Sequence, residues 1–167
     1  VSWRWMVDHP VNKLIVFHDS ILPRYRGFAP LVNMLIRGEK KIGVSAIFGA
    51  QEFDRGDLIS QQSIDITYPI TISEAIDINN KNLITLADKV MSKISTSSKL
   101  HGIKQVEADA TYSIWRDGDD YFIDWSRSAE EIRRLIDAVG SPYMGARSLT
   151  ADGKLIRITK AEAINDV

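Results

Sequence analysis

The residues most suited to chemistry lie in one ten-residue stretch, 18–27, which begins with His18. An imidazole can donate a hydrogen bond and exchange protons near neutral pH. The guanidinium groups of Arg24 and Arg26 can hold a phosphate or a carboxylate. The apolar run 14–17 predicts a short buried strand, and a polar residue where such a strand ends is typical of an active site in an open α/β sheet. A strand cap at His18, with solvated or loop-bracing arginines, is the alternative.

A second polar turn follows, with Asp54 36 residues after His18. Residues 53–59 again place an acidic side chain between apolar segments. A carboxylate beside an imidazole favours its charged form and can help to relay a proton, although an aspartate near glycine can also simply form a turn. Ser20 offers a hydrolase alternative with a serine nucleophile, but the sequence carries no nucleophile-elbow motif. The spacing of the histidines predicts no metal site.

Together the two stretches resemble the active-site signature of the folate-dependent formyltransferases, H-x-S-x-L-P-x-x-R-G followed by a distant D-x-G-x-I. The family includes methionyl-tRNA, glycinamide ribonucleotide and sugar N-formyltransferases. The first element is complete at 18–27, and the second occupies 54–58 with Leu58 in place of isoleucine. The resemblance covers nearly the whole chain. It implies transfer of a formyl group from N10-formyltetrahydrofolate, a co-substrate, to an amine.

The resemblance also implies roles for individual residues. His18 would donate to the formyl oxygen as negative charge develops there, and Asp54 would support the imidazole and relay the proton of the amine. Two segments match those that line the folate pocket, and their residues are Trp3, Arg4, Trp5, Met6, Gln51, Glu52 and Phe53. The expected substrate-binding residues are Ser20, Arg24 and Arg26.

One position departs from the family pattern. The family carries an asparagine two residues before the histidine, and this chain has Val16 there. Loss of one such donor raises a reaction barrier by about 3 kcal/mol. Two interpretations stay open: another group replaces the donor, or the chain is a degenerate folate-binding or scaffold member without catalysis. Asn12 and Asn33 are the asparagines nearby in the sequence.

The pattern of apolar residues predicts an α/β fold. The resemblance implies more, namely part of a Rossmann-like, largely parallel sheet domain of the formyltransferase type followed by a small α+β subdomain. Strands are expected at 14–17, 42–48, 58–66 and 121–125, helices at 29–37, 71–93 and 129–139, and a hairpin around 151–153. Residues 14–17 and 42–48 should be parallel neighbours, with helix 29–37 crossing between them. Their shared edge should then bring His18 and Asp54 together.

The expected division of the chain is 1–104, the C-terminal part of the catalytic domain, and 105–167, a linker and a small C-terminal subdomain. The resemblance also predicts that earlier βα units precede residue 1. No apolar run reaches the ~20 residues that span a bilayer, and the sequence has no cysteine and no signal-peptide pattern. These features predict a cytoplasmic protein that contacts no membrane.

Charge guides the choice of acceptor. The net charge is −1, yet residues 1–41 carry seven basic and three acidic side chains. A local basic excess suits a pyrophosphate, whereas a large nucleic acid calls for a basic excess over the whole chain. The predicted acceptor is therefore a nucleotide-linked amino sugar, as in polysaccharide biosynthesis. A methionyl-tRNA formyltransferase-like enzyme is the alternative, and a homodimer is left open.

Overall fold

A computed structural model of the chain describes residues 14–97 and 99–164. The first strands are β1 (Ile15–His18), the two-residue β2 (Arg26–Gly27), β3 (Lys41–Phe48) and β4 (Leu58–Asp65). The helices are α1 (Pro30–Ile36), α2 (Ile72–Thr96) and α3 (Ala129–Ala138). The remaining strands are β5 (Tyr112–Ser113), β6 (Ala146–Leu149) and β7 (Leu155–Ile158), and short 3-10 turns occupy Glu107–Asp109 and Asp119–Tyr121. The predicted α/β class is confirmed.

The main sheet has three strands in the order β1-β3-β4. β1 and β3 are neighbours, as predicted, but they run antiparallel, with Ile15 opposite Phe48 and His18 opposite Ser45. The prediction that they are parallel is therefore wrong. β3 starts beyond the C-terminal end of β1 and runs back alongside it, so the two strands do not end at the same edge. β2 and β5 form a separate parallel pair.

Sequence signals at their ends explain the helices. α1 starts with Pro30, where the missing N–H costs nothing, and Gly38 adopts a left-handed φ of 72° after its C-terminus. α2 has a capping box in which the hydroxyl of Thr71 and the carboxylate of Glu74 bind each other's backbone N–H. The backbone N–H and the hydroxyl of Thr71 both donate to the Glu74 carboxylate, and these two bonds hold the pKa of Glu74 below its usual range. All three predicted helices are present.

In the part of the chain that the structure describes, two apolar clusters hold the elements together. One packs α2 against the sheet through Val44, Ala46, Ile59, Leu86 and Val90. The larger one joins α1, the first turn of α2 and α3 around buried side chains that include Leu35, Ile72 and Ile136. Since α1 follows the 18–27 stretch directly, this larger cluster fixes where that stretch sits.

The C-terminal part differs from expectation at one place. Residues 121–125 were expected to form a strand, but Tyr121 ends a 3-10 turn and Phe122 makes only an isolated bridge to Arg147. The Asp119 and Asp120 side chains that precede it favour turns. The hairpin is confirmed, with β6 and β7 antiparallel and Gly153 left-handed between them. No helix in the described ranges is long and apolar enough to cross a bilayer.

Candidate active site

The structure brings His18 and Asp54 together. The imidazole Nδ1 lies 3.4 Å from Asp54 Oδ1, and the side chains are only 9% and 12% exposed. The opposite ring nitrogen, Nε2, lies 2.8 Å from the carbonyl oxygen of Tyr25. A carbonyl can only accept, so Nε2 carries a hydrogen. An imidazolium, with a hydrogen on each nitrogen, satisfies both of these acceptors.

The predicted proximity is confirmed, but the reason for it differs from the parallel-strand argument. His18 ends β1, whereas Asp54 belongs to the loop 49–57 that follows β3 and folds back. The second carboxylate oxygen of Asp54 accepts a hydrogen bond of 2.8 Å from the backbone N–H of Gly27. Asp54 is thus held by the far end of the same 18–27 stretch that carries His18.

Backbone strain is concentrated around this pair. Among the residues that the structure describes, three other than glycine have left-handed backbones, namely Tyr25 (φ 60°), Ala29 (φ 46°) and Asp54 (φ 57°). Each such conformation costs about 1–3 kcal/mol and persists only where the surroundings enforce it. Tyr25 supplies the carbonyl that binds His18, and Asp54 supplies the carboxylate. Two of the three strained residues, Tyr25 and Asp54, therefore set the geometry of the pair.

Ser20 was predicted to bind substrate, but in the structure its side chain holds the loop together. Its side chain is fully buried, and its hydroxyl donates to the carbonyl of Arg24 at 2.7 Å. Its own carbonyl accepts from the hydroxyl of Ser45 on β3 at 2.6 Å. Burial and these bonds remove Ser20 from any surface that a substrate could reach, and they argue equally against a serine nucleophile.

Arg26 likewise corrects the prediction that it binds substrate. Its guanidinium is 1% exposed. Nε and Nη2 donate to the side-chain oxygen of Gln105 at 3.1 and 2.9 Å, and Nη1 donates to both carboxylate oxygens of Glu107 and to the hydroxyl of Tyr112. These bonds hold the pKa of Glu107 below its usual range. The loop-bracing alternative therefore describes Arg26.

Arg24 is the more exposed of the two arginines. Its side chain is 54% exposed and pairs with Glu39. Glu39 also accepts a hydrogen bond of 2.6 Å from the hydroxyl of Tyr25. Burial, followed by this contact with Glu39, raises the pKa of Tyr25. Arg24 can still reach an anion, because more than half of its own side chain is exposed.

The predicted folate-binding residues fall into two groups. Trp3, Arg4, Trp5 and Met6 lie outside the described residues. Gln51, Glu52 and Phe53 are exposed on the loop that carries Asp54. The Phe53 ring lies 6.5 Å from the ring of Phe28, which in turn meets Trp115 edge-on at 5.8 Å.

This aromatic surface directly adjoins the pair, since Phe53 precedes Asp54 and Phe28 follows Gly27. An exposed apolar surface beside the two polar side chains fits a planar aromatic co-substrate such as a folate. The residues present are therefore compatible with the implied formyl donor.

Val16 lies in β1, two residues before His18. Side chains two apart along a strand point to the same face, so Val16 shares the face of His18. Asn33 does not replace the missing amide there. Its side-chain nitrogen donates to the carbonyls of Ala29 and Ile114, and its oxygen accepts from Arg116. Asn12 lies outside the described residues.

A cavity of about 730 Å³ lies elsewhere, between the start of α2, α3 and the segment after β7. Its lining includes Glu130, Arg133 and Asp137, but neither His18 nor Asp54. Arg133 pairs with both of those carboxylates. Burial raises the pKa of Asp137, and the positive charge of Arg133 opposes that rise. We regard this cluster as structural.

Sequence reasoning missed the groups that hold the pair. The carbonyl of Tyr25 and the N–H of Gly27 are backbone groups, which no residue type reveals. Gln105 is a polar residue in a connecting segment, and no local pattern distinguishes it. Its side-chain amide donates to the carbonyls of Asp54 and Gly56. Within the described residues, no group of three or more His, Cys, Asp or Glu side chains could hold a metal ion.

Comparison with known proteins identifies the family. Residues 4–107 match the family Formyl transferase, and residues 117–167 match Formyl transferase, C-terminal domain. The first match alone spans more than half of the chain, so the chain belongs to the folate-dependent formyltransferases. The formyl donor of this family is N10-formyltetrahydrofolate.

Individual relatives add detail. The methionyl-tRNA formyltransferase of Clostridium novyi (strain NT) is 33% identical over 163 residues, 96% of this chain and 51% of the relative. The solved methionyl-tRNA formyltransferase from Clostridium thermocellum is 26% identical, with a TM-score of 0.61 over 85% of this chain and 65% of that one.

A solved structure with a bound sugar nucleotide shares the fold. The N-formyltransferase from Helicobacter canadensis, solved with folinic acid and dTDP-3-aminofucose, is 21% identical, with a TM-score of 0.66 over 76% of this chain and 47% of that one. The chain spans about half the length of the curated relatives that it matches.

Proposed function

We propose that the protein carrying this chain transfers a formyl group from N10-formyltetrahydrofolate to the amine of methionyl-tRNA. The observation that carries the reaction class is the contact between His18 and Asp54 within the two family motifs. The acceptor is supported by relatives that are methionyl-tRNA formyltransferases, at 33% identity over 96% of the chain. These relatives favour the tRNA alternative over the nucleotide sugar that the sequence alone suggested.

The chemistry of the pair fits this reaction. The amine would attack the formyl carbon of the bound donor, the bond from that carbon to N10 would break, and N10 of the departing tetrahydrofolate would take up a proton. His18 Nδ1 faces Asp54 at 3.4 Å, which is longer than an ordinary hydrogen bond, so this is the looser of the two ring contacts. Nδ1 can therefore donate to an oxygen that gains negative charge. The Asp54 carboxylate stabilises the imidazolium and can take up the proton that the amine loses.

The shorter contact, between Nε2 of His18 and the carbonyl of Tyr25, has a different role. The Tyr25 carbonyl, at 2.8 Å from Nε2, fixes the plane of the ring and the nitrogen that faces Asp54. Arranging a charged donor before the reaction avoids reorganisation during it, which is the main source of electrostatic catalysis. Gln51, Glu52 and Phe53, with Trp3, Arg4, Trp5 and Met6, are the residues that we propose hold the donor. Arg24 is the exposed cation available to an acceptor phosphate.

A nucleotide-linked amino sugar is the second candidate acceptor. The net charge of −1 provides little of the basic excess expected for gripping a large nucleic acid. The fold shared with a sugar N-formyltransferase is compatible with this acceptor. A cytoplasmic location, a homodimer and the domain division at residue 104 stay predictions.

The donor and the acceptor can be tested on the complete protein. We expect calorimetry to detect binding of a non-reactive folate analogue. We also expect kcat/KM for methionyl-tRNA to exceed that for a dTDP-linked amino sugar by at least about 100-fold, a typical discrimination between cognate and unrelated acceptors. The reverse preference would show that the acceptor is the nucleotide-linked amino sugar. Folate binding without turnover of either acceptor would identify a degenerate member, and no binding at millimolar analogue would exclude the proposed function.

Restoring the family's asparagine tests the departure at residue 16. We expect Val16→Asn to raise kcat about tenfold, because the new amide would lie on the face of the strand that His18 occupies and could add a hydrogen bond to the formyl oxygen. Val16→Leu has nearly the same shape as the asparagine variant but has no donor, so its rate should not rise. An unchanged rate for Val16→Asn in single-turnover measurements would mean that another group already fills that place.

A further inference from the structure

Gln105 joins the two halves of the candidate site. It lies in the connection between α2 and β5, 79 residues from Arg26 and 51 from Asp54. Its side-chain nitrogen donates to the carbonyl of Asp54 at 2.7 Å and to that of Gly56 at 2.8 Å. Its side-chain oxygen accepts twice from the Arg26 guanidinium. One amide therefore connects β2 to the loop that carries Asp54.

The orientation of this amide is fixed by its partners. Arg26 can only donate, so it must face the amide oxygen. The two backbone carbonyls can only accept, so they must face the NH₂ group. A side chain with both a donor and an acceptor end is therefore needed at this position, since Arg26 is buried, at 1% exposure, and two of its nitrogens donate to the amide oxygen.

We propose that Gln105 is a positioning residue, which holds Asp54 in its left-handed conformation and so keeps the carboxylate at His18. The Asp54 backbone, with φ of 57°, is strained for a residue other than glycine. The hydrogen bond that Gln105 donates to the Asp54 carbonyl is one of the contacts that keep this backbone from relaxing to an unstrained conformation. Gln105 touches neither the imidazole nor a substrate in this assignment. The proposal rests on the proposed function only for its effect on rate.

Gln105→Glu tests the donor end of the amide separately from its acceptor end. Glutamate keeps an acceptor for Arg26 but places an oxygen, which cannot donate, against the carbonyls of Asp54 and Gly56. We expect kcat for formyl transfer to fall by about tenfold to 100-fold, the scale of a displacement of about 1 Å at a reacting group. Lys104→Gln, an exposed neighbour, is the matched control and should retain the activity of the parent protein.

Two further measurements distinguish positioning from a general structural role. In an Asp54→Asn background, Gln105→Glu should cause little further loss, because residues that act through one group are not additive. The sequence has only three histidines, so the ¹⁵N signals of the His18 ring can be assigned by NMR. Gln105→Glu should move these signals in the same direction as Asp54→Asn does, and this readout needs no catalytic activity.

Each result of these experiments either supports or overturns the positioning role of Gln105. His18 signals that stay in place in a folded Gln105→Glu protein overturn the proposal, as do losses that multiply with that of Asp54→Asn. Gln105→Met, which fills similar volume without donor or acceptor, repeats the test if the glutamate variant does not fold, and loss of folding in both would show a purely structural role. If the parent protein transfers no formyl group, the proposed function fails, and the NMR comparison alone decides the role of Gln105.

Discussion

His18→Ala and Asp54→Asn should each lower kcat for formyl transfer by at least about 100-fold, the usual cost of removing a positioned acid, base or charged donor. The alanine variant removes the donor to the formyl oxygen. The asparagine variant is nearly isosteric and can still accept the hydrogen bond from Gly27 N–H, but it cannot stabilise an imidazolium 3.4 Å away. Its defect therefore isolates the negative charge of Asp54.

The control variants change a histidine and an aspartate that lie outside the His18–Asp54 pair. His101→Ala removes an exposed histidine, and Asp57→Asn changes an acid three residues after Asp54, so both should retain most of the activity. Single-turnover rates separate chemistry from product release, and circular dichroism with thermal melts checks the fold. Near-normal rates in a folded His18→Ala protein would remove His18 from the mechanism, whatever its distance from Asp54.

The pair was predictable from sequence because both of its members lie in long motifs. Helix ends were predictable for a similar reason: Pro30 and Gly38 at α1, and the Thr71 and Glu74 capping box at α2, act through neighbours along the chain. Such local chemistry is readable from residue types and short spacings. The burial of Arg26 could not be predicted from the sequence, because its partners Gln105 and Glu107 are about 80 residues away along the chain.

The direction of β3 could not be predicted for a similar physical reason. A strand, a helix and a second strand usually form a right-handed parallel crossover. Here the turn between β1 and α1 is long, and long-range contacts hold it. Ser45 on β3 accepts from Leu22 N–H and donates to Ser20, and β2 pairs with β5 from far along the chain. These contacts return the chain to the C-terminal end of β1, so β3 runs antiparallel.

The antiparallel arrangement leaves Asp54 dependent on the shape of its loop. β3 ends opposite the start of β1, and residues 49–57 must fold back to bring a carboxylate to His18. The loop closes where Phe48 N–H donates to the carbonyl of Asp57 at 3.0 Å. Gly56 passes the end of β3 so closely that an added Cβ would lie 1.7 Å from the Phe48 carbonyl oxygen. No side chain fits there without movement of the backbone.

Gly56→Ala should therefore destabilise the protein by at least about 2 kcal/mol, the scale of overpacking at a site that cannot yield. It should also lower kcat by about 100-fold, because the loop must shift by more than 1 Å and Asp54 lies only two residues away. Gly140→Ala is the matched control, since its nearest contact would be at 3.4 Å and its melting temperature should hardly change. Thermal melts and single-turnover rates measure both effects. A Gly56→Ala protein with parental stability and rate would show that the loop adapts freely, and the dependence of the His18–Asp54 pair on loop geometry would then be wrong.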